Sequence, residues 1–262
     1  MDRMIYLSMA GAKTNMAQQD VLSNNLANVN TTGFRAQLHA VRAVPVRGDG
    51  ASTRVYSLET TVGYDAKPGP LTVTGRPLDV AAQGNAWLSV QALDGTEAYT
   101  RFGSFMVDAQ GTLVTSNGRQ VMGDGGPITV PTDSEVSIGS DGTVSAKGVN
   151  GRSTAVGRLK LVIPEGQLTR GDDGLFRAPD GADLPASAVA RVQEGALEGS
   201  NVNPIETMVQ MIAAARQYET QTKMMQTADQ NEKTASQLLS AGGCARGQAS
   251  PIDRRHAKGV PT

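Results

Sequence analysis

The fold follows from the stretch NPIETMVQMIAAARQYETQTKMMQTADQNEKTASQLL, residues 203–239. Asn203 can cap a helix, Pro204 suits the first helical position, and Glu206 follows the cap at the spacing of a capping box. No glycine or proline interrupts residues 205–239. The stretch therefore predicts one long helix within a C-terminal segment, residues 198–240.

The apolar residues of this predicted helix form one narrow stripe. They recur in steps of four and three, the spacing that keeps side chains on the same face. The stripe consists of Met211, Ala215, Tyr218, Met225 and Leu239. Because so narrow a stripe covers little of a globular core, the helix needs a second helix as its partner.

The N-terminal segment, residues 1–33, shows a similar pattern. Its stripe consists of Ile5, Met9, Ala12, Met16, Leu22 and Leu26. The pattern ends in an Asn-rich run that reaches Gly33, where side chains compete for backbone hydrogen bonds. We expect the two terminal helices to pair as a coiled-coil-like hairpin.

Residues 75–197 favour short antiparallel strands. Alternating stretches at residues 86–90, 97–102 and 188–192 are separated by turns such as Asp94-Gly95. A low aromatic content of 4% and 30 glycines fit a β domain rich in turns. We therefore predict an α+β fold in which the paired terminal helices flank a central all-β domain.

Two further segments complete this organisation. Residues 34–74 mix short extended pieces with glycine and proline and are predicted to be an extended connector. Residues 241–262 hold almost no apolar side chain and are predicted to be a disordered tail.

Composition excludes several classes of protein. A formal net charge of −1 provides no broad positive field for binding nucleic acid. No run approaches the ~20 apolar residues of a membrane helix, so we expect no membrane insertion. The apolar run after Arg3 is too short for a signal peptide, so none is expected. A single cysteine, Cys244, rules out an internal disulfide framework and a multi-cysteine zinc site.

Catalytic and ligand-binding motifs are missing from the sequence. There is no phosphate-binding loop, dinucleotide fingerprint, zinc-protease motif or hydrolase nucleophile elbow. The two histidines, His39 and His256, lie in the connector and the tail, which are poor scaffolds for a general base. The carboxylate pair Asp172-Asp173 is more typical of a glycine-rich turn than of a calcium or glycosidase site. We predict no catalytic, cofactor-binding or metal-binding residue, and the chain is not expected to be an enzyme.

Several motifs, taken in order, match a known family. They are SNNLANVNTTGFR at 23–35, GRPLDV at 75–80, AYTRFGSF at 98–105, LEGSNVN at 197–203 and RQYE at 216–219. Together they resemble the flagellar basal-body rod and hook family and span nearly the whole chain up to about residue 239. The residues that we expect to carry the family's role are Asn25, Asn28, Thr32, Gly33, Phe34, Asn201, Asn203, Arg216 and Glu219.

Within that family, three stretches resemble the proximal-rod members most. They are MDRMIY at 1–6, RAVPV at 42–46 and GRLKLV at 157–162; the distal-rod members are the alternative. The family does not require the tail beyond residue 241, and we assign that tail no role.

The resemblance implies a structural subunit that polymerises into a hollow, torque-transmitting shaft. Its partners would be further copies of itself, neighbouring rod proteins and the flagellar type III export apparatus. It would be exported from the cytoplasm to the rod section in the periplasm. The terminal helices would line the inner tube and the β domain would face outward.

Two functions of other classes remain open at this point. A secreted adhesin or fibre domain could use the Arg-Gly-Asp tripeptides that begin at Arg47 and Arg170. A cell-wall hydrolase would need placed carboxylates or a metal site, which the sequence does not display.

Overall fold

The computed structural model describes residues 2–45, 55–131, 134–148 and 151–244. Helix α1 spans Asp2–Ala27 and helix α2 spans Pro204–Cys244, and no helix in these ranges is long and apolar enough to cross a membrane. The strands are β1 Gln37–Pro45, β2 Val55–Tyr64, β3 Leu71–Val73, β4 Val80–Ala82, β5 Trp87–Gln91, β6 Glu97–Thr100, β7 Phe105–Val107, β8 Leu113–Thr115, β9 Met122–Gly123, β10 Gly126–Pro127, β11 Glu135–Ile138, β12 Thr143–Lys147, β13 Ser153–Arg158, β14 Leu161–Val162, β15 Thr169–Arg170, β16 Phe176–Arg177, β17 Val192–Glu194 and β18 Ala196–Glu198. This is the predicted α+β class.

The start of α2 and the end of α1 lie where the sequence signals predict them. The Asn203 side-chain oxygen accepts hydrogen bonds from the backbone N–H groups of Ile205 (3.1 Å) and Glu206 (3.4 Å), so it caps α2 as predicted. Helix α1 ends at Ala27, at the start of the Asn-rich run. Helix α2 extends to Cys244, past the predicted end at residue 240. The remainder of the predicted tail, residues 245–262, lies outside the described residues.

All strand pairs within the described ranges are antiparallel. The largest sheet has the order β14-β5-β6-β16-β15, and a second sheet has the order β11-β12-β13. The other strands form two-stranded ribbons, among them β4 with β17 and β3 with β18. The strand predicted at residues 188–192 begins instead at Val192, where its pairing with Ala82 starts.

The core of the β domain forms between these sheets and ribbons. Its largest cluster includes Val80, Leu88, Phe105, Leu113, Val121, Ile138, Val144, Leu159, Leu161 and Val192. A second cluster holds Trp87, which is 1% exposed and lies edge-to-face with Tyr64 at a centroid distance of 5.7 Å. Trp87 therefore anchors the second cluster of the β-domain core.

The predicted connector contains regular structure. Strands β1 and β2 pair into an antiparallel ribbon, with a bulge between Leu38 and Ala40. Strand β3 then joins β18, directly before the segment that leads into α2. The segment that enters the β domain and the segment that returns from it to α2 therefore run side by side.

One close approach inside the β domain requires glycine. The Gly103 carbonyl accepts a hydrogen bond from the Val80 N–H at 2.9 Å, and a Cβ on Gly103 would overlap the Val80 carbonyl oxygen. We expect Gly103→Ala to lower the free energy of unfolding by about 2–4 kcal/mol, because the backbone of β4 must shift. Chemical denaturation measures this change.

The matched control is Gly125→Ala, because a Cβ at Gly125 meets no atom within 4 Å. That variant should stay within about 0.5 kcal/mol of the parent. Equal losses for the two variants would contradict the close-approach explanation.

Tyr99 makes stability sensitive to alkaline pH. Burial raises the pKa of the Tyr99 phenol from 10.0 to about 12, while its oxygen accepts the Leu184 N–H at 2.6 Å. Because the folded pKa lies above the unfolded one, this stabilisation is present below pH 10 and lost as pH rises toward 12.

We expect Tyr99→Phe to reduce the fall in stability across this window of pH. Chemical denaturation of both proteins at several values from about pH 8 to about pH 12 measures this fall in stability. The range is chosen because it spans the ordinary tyrosine pKa of about 10. Parallel pH profiles for the two proteins would show that Tyr99 does not contribute.

Candidate assembly site

The two terminal helices contact each other, as predicted. Gly11 of α1 lies against α2, because a Cβ at that position would be 3.1 Å from the Cδ atom of Gln221. The residues most buried on α1 are Ser8, Ala12, Asn15, Leu22 and Asn25, and on α2 Thr207, Ala214 and Ala228. The inner contact between the helices is therefore built mainly from small and polar side chains.

The predicted stripe residues fall into three groups. Ala12 and Leu22 are buried; Ile5, Leu26, Met211, Ala215 and Met225 are half-buried; Met9, Met16 and Tyr218 are exposed. The side chain of Leu239 lies outside the described residues. The role of this set in polymerisation stays a prediction, since only a single chain is described.

Large apolar side chains project away from the helix pair. On α2, Ile205, Met208, Val209 and Ile212 have the spacing of one helical face and are each 50–74% exposed. On α1, Tyr6, Met9 and Met16 are 57–61% exposed. We call these two sets of residues the outer apolar rows. Exposed apolar rows of this kind are a candidate interaction surface.

Two asparagine side chains join the helices to the ribbon β1–β2. Asn25 accepts a hydrogen bond from the Gln37 N–H (2.8 Å) and donates one to the Gln37 carbonyl (3.0 Å). Asn201 accepts from the Ala36 N–H (2.7 Å) and donates to the carbonyls of Asp65 and Lys67. Each amide thus replaces a backbone partner where the chain is irregular.

The other predicted family residues lie in different places. Gly33 has φ of +69°, and a Cβ there would come within 2.5 Å of the Arg101 carbonyl carbon. Phe34 is buried, with the Arg170 guanidinium 4.5 Å from its ring centroid. Asn28 and Thr32 are half-buried at the end of α1, whereas Arg216 and Glu219 are exposed on α2. The structure brings Asn25, Gly33, Phe34 and Asn201 to one junction at the base of the helices.

At this junction three charged side chains are buried together. Glu198 Oε1 lies 2.7 Å from Arg35 Nη2, and Glu198 Oε2 lies 2.9 Å from Arg101 Nε. All three side chains are at most 2% exposed. Burial lowers the pKa of the Arg101 guanidinium, Glu198 raises it and Arg35 lowers it further. We call Arg35, Glu198 and Arg101 the charge triad.

Sequence analysis missed the charge triad, although all three residues stand in the quoted motifs. The available signal was a charged residue inside an otherwise uncharged stretch: Arg35 ends the 23–35 motif and Glu198 lies in the 197–203 motif. Partners this far apart in sequence are identified only by the fold.

The turn that contains Asp172 and Asp173 is held by hydrogen bonds within the turn. Asp173 accepts a hydrogen bond from the Leu175 N–H at 3.1 Å and pairs with Arg177 at 2.8 Å, and that bond lowers the pKa of the Asp173 carboxyl. Within the described ranges, no group of three or more His, Cys, Asp or Glu residues is placed to hold a metal ion.

Loss of the buried carboxylate should destabilise the fold. We expect Glu198→Gln to lower the free energy of unfolding by about 3–5 kcal/mol, because two buried guanidiniums lose their counter-charge. The exposed Glu194, on the neighbouring strand β17, provides the matched control. Glu194→Gln should stay within about 0.5 kcal/mol of the parent in chemical denaturation, and equal effects would refute the explanation.

Three family models match successive parts of the chain. They are described as "Flagella basal body rod protein" (residues 5–35), "Flagellar hook protein FlgE/F/G D1 domain" (residues 81–146) and "Flagellar basal body rod FlgEFG protein C-terminal" (residues 193–238). These ranges contain α1 with the junction, much of the β domain, and most of α2.

Whole-length relatives agree with these matches. The chain is 50% identical to the flagellar basal-body rod protein FlgF of Salmonella typhimurium and 48% identical to that of Escherichia coli, covering 92% of this chain and 99% of each relative. It is 31% identical to the flagellar basal-body rod protein FlgG of Bacillus subtilis, over 87% of this chain and 96% of the relative. The chain therefore belongs to the flagellar basal-body rod protein family.

Proposed function

We propose that this chain is a structural subunit of the proximal part of the flagellar rod and polymerises into a hollow, torque-transmitting shaft. The observation that carries the proposal is the placement of the outer apolar rows. They lie on exposed faces of a helix pair whose most buried side chains are mainly small or polar. Relatives named as basal-body rod proteins supply the biological setting.

Packing energetics support an assembly role for the helices. Residues such as Ile205 and Val209 gain roughly 1.5–3 kcal/mol each when they are fully buried, a gain that the isolated chain does not obtain at this face. A neighbouring subunit that covers both rows would provide it. We infer that the two helices form a coiled-coil-like pair, and that Met9, Met16 and Tyr218 contact neighbouring subunits.

When two different surfaces of a subunit meet head to tail, and the rotation between subunits does not close a ring, the subunits form an open helical assembly. The outer apolar rows on α1 and α2 are different surfaces, so a contact between the α1 row of one subunit and the α2 row of the next would be heterologous in this sense. The proposed partners are further copies of this chain, neighbouring rod proteins and the type III export apparatus. The proposed location is the rod section in the periplasm.

The proximal rod is favoured over the distal rod by similarity. Identity is 48–50% to two relatives named FlgF and 32–35% to two others of that name, against 30–32% to four relatives named FlgG. We propose no catalytic activity.

The adhesin alternative finds little support. In the Arg-Gly-Asp tripeptide at residues 170–172, the Arg170 guanidinium lies over the rings of Phe34 and Phe176 and is not free to meet a receptor. The tripeptide at residues 47–49 lies outside the described residues.

A gene deletion tests the proposed function. Swimming and basal-body morphology are compared in the deletion strain complemented with the full chain or with a chain lacking residues 204–239. We expect an incomplete rod that only the full chain restores. Intact basal bodies and normal swimming in the deletion strain would refute the proposal, provided that no paralogue substitutes.

A single charge on an outer apolar row should block assembly without unfolding the chain. Val209 is 60% exposed in the single chain, so Val209→Glu is tolerated there. In the proposed contact it would bury an unpaired carboxylate, which weakens subunit association at least about tenfold. Rod completion and swimming in the complemented deletion strain measure the loss.

The β domain offers a control with the same chemical change. Val189 is 76% exposed there, and Val189→Glu should leave both folding and swimming unchanged. Normal swimming with Val209→Glu would show that this row is not a subunit contact.

A further inference from the structure

The charge triad connects three segments that are distant in sequence. Arg35 follows the end of α1, Glu198 ends β18 shortly before α2, and Arg101 follows β6 inside the β domain. The Gly33 N–H also donates a hydrogen bond to the Glu198 backbone carbonyl at 2.7 Å. One carboxylate therefore joins both helix connections to the β domain.

The charges of this cluster do not balance. Two guanidiniums share one carboxylate, and Arg35 acts on Arg101 as a like charge that lowers the Arg101 pKa. Without Arg35, a neutral Arg101–Glu198 pair would remain. Buried ion clusters often stabilise a fold no more than apolar side chains of similar volume do. Stability of the β domain therefore does not explain why Arg35 is buried there.

The hydrogen bonds of the charge triad point in different directions. The Arg101 guanidinium donates to the carbonyls of Ala86 and, at 2.8 Å, Gly84, within the β domain. Arg35 donates to the Lys67 carbonyl, and Glu198 accepts the Gly69 N–H at 2.9 Å. Because the donors and acceptors come from separate segments of the chain, few orientations of these segments relative to one another satisfy all of the hydrogen bonds.

We propose that Arg35 is a positioning residue: its contact with Glu198 determines the direction in which the helix pair leaves the β domain. Arg35 contributes little to the stability of the β domain itself. This role concerns the geometry of the single chain and does not depend on whether the chain assembles into a rod.

The substitution Arg35→Met tests the direction of the helix pair separately from the stability of the β domain. It leaves the Arg101–Glu198 pair balanced, and the Lys67 carbonyl keeps its hydrogen bond from Asn201 at 2.9 Å. The Gly69 N–H keeps its bond to Glu198. No buried partner of Arg35 is therefore left without a hydrogen bond. Glu198→Gln, in contrast, risks unfolding the chain and cannot test direction.

The measurement is the distance between two spin labels on the full-length chain. Cysteines replace the exposed Leu93, at a turn of the β domain, and the exposed Ala213 on α2, in a Cys244→Ser background. Pulsed electron spin resonance then gives the distribution of distances between the β domain and the helix pair. The matched control is Arg42→Met, the same change at an exposed position of β1.

We expect one narrow distribution for the parent and for Arg42→Met. Arg35→Met should give a distribution several times broader, while its melting midpoint changes by less than about 4 °C. An unchanged, narrow distribution in Arg35→Met would overturn the proposal. So would a large fall in melting midpoint or failure to fold, because Arg35 would then be a stability element.

Discussion

The buried carboxylate of Glu198 is the constraint on which the rest of the structure depends. It lies within 3 Å of one guanidinium from the exit of α1 and another from the β domain. A buried charge that loses its partner costs several kcal/mol, so the segments that carry Glu198 and Arg101 cannot separate without stranding a charge. The terminal helices and the β domain are therefore coupled at one point, although they share little core.

Around that point, backbone that belongs to no helix or strand has to find partners. The side chains of Asn25 and Asn201 supply them by pairing with the backbone groups of residues on both sides of the connector. Gly33 allows the α1 exit to approach the Arg101 backbone, where any side chain would collide. These uncharged contacts surround the charge triad and keep its three segments close together.

The distribution of small and large apolar side chains on the helix pair is the reverse of that in a globular core. Small side chains such as Ala12 and Ala214 lie between them, whereas Met9, Val209 and Ile212 are exposed. Small residues let two helices approach closely, and large apolar ones on the outside gain their stabilisation only from further contacts. The predicted stripe followed the spacing of four and three and therefore included Met9 and Met16, which are exposed on α1.

Four features could be predicted from the sequence alone: the α+β class, the cap of α2 at Asn203, the end of α1 in the Asn-rich run and the family. Each of these depends on neighbouring residues or on a contiguous motif. Only the tertiary structure decided which face of each helix is inner, where the last strands begin, and that Arg35, Glu198 and Arg101 meet. Those features depend on partners far apart in sequence, such as Gly11 with Gln221 and Arg35 with Glu198, and local patterns carry no information on such pairings.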